Sequence, residues 1–162
     1  MSDFNQVECF IFDVDGVLAD GTVLCLESGE QVRTFLVKDG YAIEKAIKKD
    51  YKVAIISGGF QLGVRKRLEF LGIKDIFMNV SQKLPVFEEY VNFNQLSFEK
   101  ILYMGDDMAD IPVLKKVGLA TCPADAAEDV LQICHYVSSK NGGKGAVRDV
   151  IEKVLKARGD WY

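Results

Sequence analysis

The sequence predicts a single α/β domain, a Rossmann-like doubly wound parallel sheet with helices on both faces and a β-hairpin flap after the first strand. Three observations predict it. Short apolar runs alternate with amphipathic stretches, as in parallel sheets covered by helices. Polar, chemistry-bearing residues follow these runs directly, where open parallel sheets bind ligands. One β-prone insertion, between the first run and the first helix, breaks the alternation.

Taken in order, Cys9 to Phe12 is the first strand and runs into Asp13 and Asp15. The segment 17–38 is read as the flap, with Thr22 to Leu26 and Gln31 to Val37 as its arms around Glu27-Ser28-Gly29-Glu30, which is turn chemistry. A helix over Tyr41 to Lys49 leads to a strand at Val53 to Ile56. A helix over Leu62 to Leu71, stopped by Gly72, leads to a strand at Ile76 to Met78. A helix over Pro85 to Phe93 precedes the strand Ile101 to Met104, and Met108 to Val117 reads as helical. Leu119 to Thr121 and Tyr136 to Val137 are weaker strands, and Ala146 to Lys156 is a closing helix within a C-terminal tail over 141–162.

The 162 residues suit one domain. A net charge of -4 argues against nucleic acid and anionic membranes as partners, and no run is long and apolar enough to span a bilayer. The expected setting is cytoplasmic. Four widely spaced cysteines, no CxxC and one histidine argue against a zinc site or a disulfide framework.

Successive strand ends carry complementary groups. Asp13 and Asp15 follow the first, Ser57-Gly58-Gly59 the second, Lys83 comes after the third, and Gly105-Asp106-Asp107 follows the fourth, with Asp110 three residues on. Two carboxylates beside one strand end repel each other unless a cation or phosphate chemistry uses them. Plainer readings exist for each: an Asp-Gly turn for the pair, helix capping for Asp106, Asp107 and Asp110, a solvated loop for Ser57 and Lys83.

Together the Asp13-Val14-Asp15-Gly16-Val17 run, Ser57, Lys83 and Gly105-Asp106-Asp107-Met108-Ala109-Asp110 resemble the haloacid dehalogenase superfamily of phosphohydrolases. The missing cap, the flap, Lys38-Asp39-Gly40 and the glycine-rich stretch from Gly142 to Arg148 look like the phosphatases of 3-deoxy-D-manno-octulosonate 8-phosphate, enzymes of lipopolysaccharide biosynthesis, and their relatives acting on nine-carbon keto acid phosphates. The resemblance implies Asp13 as nucleophile, forming an aspartyl phosphate, and Asp15 as the acid and base serving the leaving oxygen and the water. It implies magnesium on Asp13, Asp106 and the main-chain carbonyl of Asp15, with Asp107 holding a bound water or sharing in ligation and Asp110 orienting the loop. Ser57, with the amides of Gly58 and Gly59, and Lys83 are expected to bind the phosphate.

For the sugar acid, the resemblance points to Lys38, Asp39, Gly40 and Arg67. Gly59 and Glu44 stand where basic residues are common in that group, which keeps a nine-carbon keto acid phosphate or another sugar phosphate open as the substrate. The resemblance also implies a homotetramer, in which Lys144 or Arg148 helps to close a neighbouring subunit's site. A phosphoacceptor signalling domain shares the sheet, acids, magnesium and lysine, but its acceptor follows the third strand, where this chain has Asn79-Val80-Ser81. A dehalogenase and a noncatalytic assembly partner are further alternatives.

Overall fold

A computed structural model describes residues 3–162. Its main sheet has six strands, all pairs parallel: β1 (Cys9–Phe12), β4 (Lys52–Ile56), β5 (Asp75–Phe77), β6 (Ile101–Met104), β7 (Leu119–Cys122) and β8 (Tyr136–Val137). They lie in the order β5-β4-β1-β6-β7-β8. Counted along the chain this is the 3-2-1-4-5-6 order of a doubly wound sheet, whose direction of winding reverses between β1 and β6.

Side-chain alternation along the strands builds a core on each face. Phe10 and Phe12 of β1 join Val53, Ile55, Leu102 and Met104 under α1 (Val37–Lys48), α2 (Leu62–Phe70) and α6 (Ala146–Ala157). Cys9 and Ile11 join Ala54, Ile56 and Tyr103 under α3 (Lys83–Phe93), α4 (Ile111–Leu114) and α5 (Glu128–Ile133). α6 is part of the first core: Val147, Val150, Ile151 and Val154 are fully buried.

The sequence reading needs correction in three places. The flap is a short hairpin, β2 (Leu24–Cys25) against β3 (Gln31–Val32), and its second arm ends well before Val37. α1 starts at Val37 instead of Tyr41, so Lys38, Asp39 and Gly40 form its first turn, where an acid is favoured by the helix dipole. The expected helix from Met108 divides into a turn of 3-10 helix, Met108–Asp110, and the short α4, with Pro112 tolerated in its first turn. α5 had no sequence assignment, since its six residues are too few to show a period.

The two glycines before α6 are fitted against the loop after β1. A Cβ on Gly142 would stand 1.9 Å from the Gly16 carbonyl oxygen, and the Gly143 N–H donates to the Val17 carbonyl at 2.8 Å. The obstacle is backbone, which cannot swing aside as a side chain can. Gly142→Ala should therefore destabilise the protein by about 1–3 kcal/mol, measured by urea unfolding. An unchanged midpoint would show that the loop yields freely.

Candidate active site

β1 and β6 remain paired at their carboxyl ends, where the Asp13 N–H donates to the Met104 carbonyl at 3.1 Å. The next residues form a wide turn closed by Ala19 N–H to Val14 carbonyl at 2.9 Å, with Gly16 at φ +80°. Glycine is required there twice over: a Cβ would also lie 1.9 Å from Oδ2 of Asp106. The carboxylate of one strand end thus rests on the bare backbone of the other.

Asp13 is buried. Its Oδ1 accepts the Val14 N–H at 2.7 Å, and its Oδ2 lies 2.8 Å from Lys83 Nζ. Lys83, the first residue of α3 and also buried, reaches Oδ1 of Asp110 at 2.7 Å. That oxygen also accepts the Tyr103 hydroxyl at 2.6 Å, while Oδ2 of Asp110 accepts the N–H groups of Asp106 at 3.0 Å and Asp107 at 3.2 Å. Four donors saturate the Asp110 carboxylate. Gly105 leaves room for it, since a Cβ there would be 2.3 Å from the Asp110 carboxyl carbon.

Carboxylate oxygens of Asp13, Asp106 and Asp110 lie within 4.8 Å of one another. Burial, then Asp13, Asp110 and Asp107, push the Asp106 carboxyl up to about 7. Burial, with Asp110 next, also raises Asp13 against the pull of Lys83. For Lys83 burial works downward, but Asp13 and Asp110 outweigh it and hold the ammonium charged. One cation cannot balance three acids. Hard oxygen donors, crowded and under-neutralised, fit magnesium, with Asp13 and Asp106 to hold it and Asp110 already committed to the loop.

Asp107, to which the resemblance gives a bound water or a share in ligation, has an exposed carboxylate that caps the turn after β6, accepting the Met108 N–H at 2.7 Å, while Asp110, three residues on, is directed inward. Ser57, buried after β4, accepts the Gly59 N–H on Oγ at 3.3 Å, which leaves its hydroxyl proton to donate; Gly58 beside it is exposed. Asp15 is bound by a residue outside every motif, Arg33 of the flap, through Nε to Oδ1 at 2.9 Å and Nη2 to Oδ2 at 3.2 Å. Arg33 and Tyr103 were both missed. Tyr103 reads as one more apolar strand residue, and nothing local marks Arg33.

Beyond Arg33 opens a pocket of about 860 Å³ between flap and α2, lined among others by Arg33, Phe60, Gln61, Lys66 and Arg67. Arg67, which the resemblance assigns to the sugar acid, thus shares this pocket with Arg33. Lys38, Asp39 and Gly40 do not join it. Lys38 is exposed, beside a separate depression with Tyr41, Lys45, Arg148 and Trp161. A Cβ on Gly40 would meet Arg67 Nη2 at 2.8 Å, so that glycine seats α2 against α1. Asp39 is buried and accepts the Arg148 N–H at 2.9 Å. It caps α6 from a different helix, because the residue at the N-cap itself, Gly145, has no side chain. Arg148 stacks on Tyr41 and Trp161 of its own chain, and Lys144 lies 3.8 Å from Asp20.

Comparison with known proteins gives concordant results. The model of the haloacid dehalogenase-like hydrolases matches residues 71–151. The 3-deoxy-D-manno-octulosonate 8-phosphate phosphatase KdsC of Escherichia coli (strain B / BL21-DE3) is 38% identical over 159 residues, 98% of this chain and 85% of that protein. The crystal structure of the phosphatase of the same name from Yersinia pestis superposes with a TM-score of 0.95 at 37% identity, over 98% of this chain and 85% of that one. Its counterpart from Moraxella catarrhalis, in complex with magnesium ion, phosphate ion and KDO, gives a TM-score of 0.94 at 28% identity over 98% of this chain and 91% of that one.

Removing the central cation should be costly. Lys83→Met leaves Asp13 and Asp110 facing each other in a buried site, so stability at pH 8 should fall by about 3–5 kcal/mol. The loss should shrink as pH drops and the acids take up protons; a deficit that does not change with pH would contradict the charge argument. Asp39 gives a second pH signature. Burial raises its carboxyl to about 6, against the N–H groups that bond it. The folded state therefore binds the proton more tightly than the unfolded chain, and the contribution of Asp39 to stability falls as pH rises from about 4 to 6, by at most about 3 kcal/mol. Asp39→Asn should make the slope shallower by that share in urea titrations across this window, leaving the part due to Asp13 and Asp106.

Proposed function

The chain belongs to the haloacid dehalogenase-like hydrolases, and on that premise we propose that it is a magnesium-dependent phosphatase of 3-deoxy-D-manno-octulosonate 8-phosphate. The observation that carries the reading is the cluster of Asp13, Asp106 and Asp110 around Lys83 at the reversal point of the sheet. That donor set is expected where a nucleophilic carboxylate must meet a dianionic phosphate. The named substrate of the KdsC relative supports the choice of ester.

Asp13 attacks phosphorus and forms an aspartyl phosphate, while Asp15 protonates the departing sugar oxygen. Water, deprotonated by Asp15, then releases phosphate and restores Asp13. The Ser57 hydroxyl and neighbouring amides bond the phosphoryl oxygens, and Lys83 offsets charge on Asp13 as the phosphate approaches. Asp13, Asp106 and, by the family resemblance, the Asp15 main-chain carbonyl would hold magnesium, which would supply the remaining positive charge beside the transferring group. The sugar acid lies toward the pocket with Lys66 and Arg67, whose charges suit a carboxylate and make up for the absence of a basic side chain at Gly59 and Glu44.

The reading includes a homotetramer in the cytoplasm. Val23, Leu24, Leu26 and Val32 are exposed on the flap, an apolar two-stranded ribbon with no cover from its own chain, which supports packing of flaps between subunits. Among the described residues no helix is long and apolar enough to cross a membrane.

The purified protein should release phosphate from the eight-carbon ester with magnesium, lose this activity in a chelator, and hydrolyse the nine-carbon ester less efficiently. A preference for the nine-carbon or a simple hexose ester would replace the substrate, and inactivity on all would refute the reading. Asp13→Asn should abolish both turnover and acid-stable labelling by phosphate, which quench-flow would measure.

A further inference from the structure

The residues of both flap strands are exposed, yet the side chain of Arg33, directly after the second, is only 5% exposed. It leaves the ribbon and enters the site. Nη1 donates to the Gln31 carbonyl at 3.2 Å, which fixes the plane of the guanidinium, while Nε and Nη2 form a two-pronged bond to Asp15. Among the described residues these are the only hydrogen bonds the Asp15 carboxylate accepts. Asp15 itself sits in the turn after β1 with nothing else to fix its side chain, 40% of which is exposed. A freely rotating carboxyl would spend most of its time pointing away from an ester oxygen.

Resting on the phosphatase reading, we propose that Arg33 is the positioning residue of the acid-base group: the flap, through this guanidinium, holds Asp15 in the orientation from which it serves the leaving oxygen. In the first step the Asp15 proton passes to the ester oxygen, which keeps the electron pair of the breaking P–O bond, while Asp13 forms the new bond to phosphorus. Asp15 is left as a carboxylate, and the fork of Arg33 matches that product with two charge-assisted hydrogen bonds. The same guanidinium lines the pocket of about 860 Å³, so the flap that borders the sugar also sets the proton donor.

The test separates positioning from a strut and from direct substrate binding. An alkyl ester needs a proton on its leaving oxygen, whereas p-nitrophenyl phosphate, with an acidic leaving group, does not. Arg33→Met should lower kcat/KM on the octulosonate ester by about 30-fold and on p-nitrophenyl phosphate by less than about 3-fold, short of the roughly 100-fold or more that loss of the general acid itself costs, because Asp15 stays in place without its orientation. Arg33→Lys should recover part of the difference, since an ammonium cannot form the fork. Equal losses on both esters, or a loss carried entirely by KM, would overturn the proposal. If Arg33→Met does not fold, the same contrast at smaller amplitude is expected of Arg33→Lys, and its absence there counts equally against it. Wild-type turnover of other alkyl phosphates but not of the octulosonate ester would fail the substrate reading alone, and the Arg33 contrast is then read on the alkyl ester that is turned over.

Discussion

Mutual repulsion of buried carboxylates at the junction of β1 and β6 is the constraint around which the molecule is arranged. Asp13, Asp106 and Asp110 converge there with one lysine among them. Every neighbouring feature serves to keep acids together that would otherwise separate or protonate. Lys83 bridges two of them, Tyr103 and two backbone amides saturate Asp110, and Gly16 and Gly105 make room for carboxyl groups that a Cβ would displace. The fold holds the site short of positive charge, a deficit that a divalent cation would relieve.

The deficit also explains the division of labour among the acids. Asp110 uses all its acceptor capacity within the protein and stiffens the loop, whereas Asp106 accepts no hydrogen bond on its carboxylate among the described residues and is free to bind an ion. Asp15, on the outer side, belongs electrically to Arg33. Three acids of one site thus have three environments, decided by which donors reach them.

Much of this was legible from sequence, and the exceptions have physical causes. Asp13, Asp15, Ser57, Lys83 and Asp106 follow strands whose apolar runs are unmistakable, and parallel winding brings such positions to one edge. Asp107 and Asp110 differ only in which way a single turn carries them, and local capping drew Asp107 outward. Asp39 sits in a stretch that looks functional, but it answers a need of α6, a helix more than a hundred residues later whose N-cap has no side chain. Arg33 depends on a hairpin bending back over the first loop, and no periodicity reports that.

The fit of Gly142 and Gly143 against the loop after β1 has a temporal meaning. Asp13 and Asp15 are translated more than a hundred residues before the surface that braces their loop and the helix that Asp39 caps. A nascent chain can form β1, α1 and β4 early, but contacts of such sequence separation close late. A nascent chain that still lacks Gly142 and Gly143 carries the acidic pair without its brace, so the loop after β1 takes its final form only once that later segment has been made.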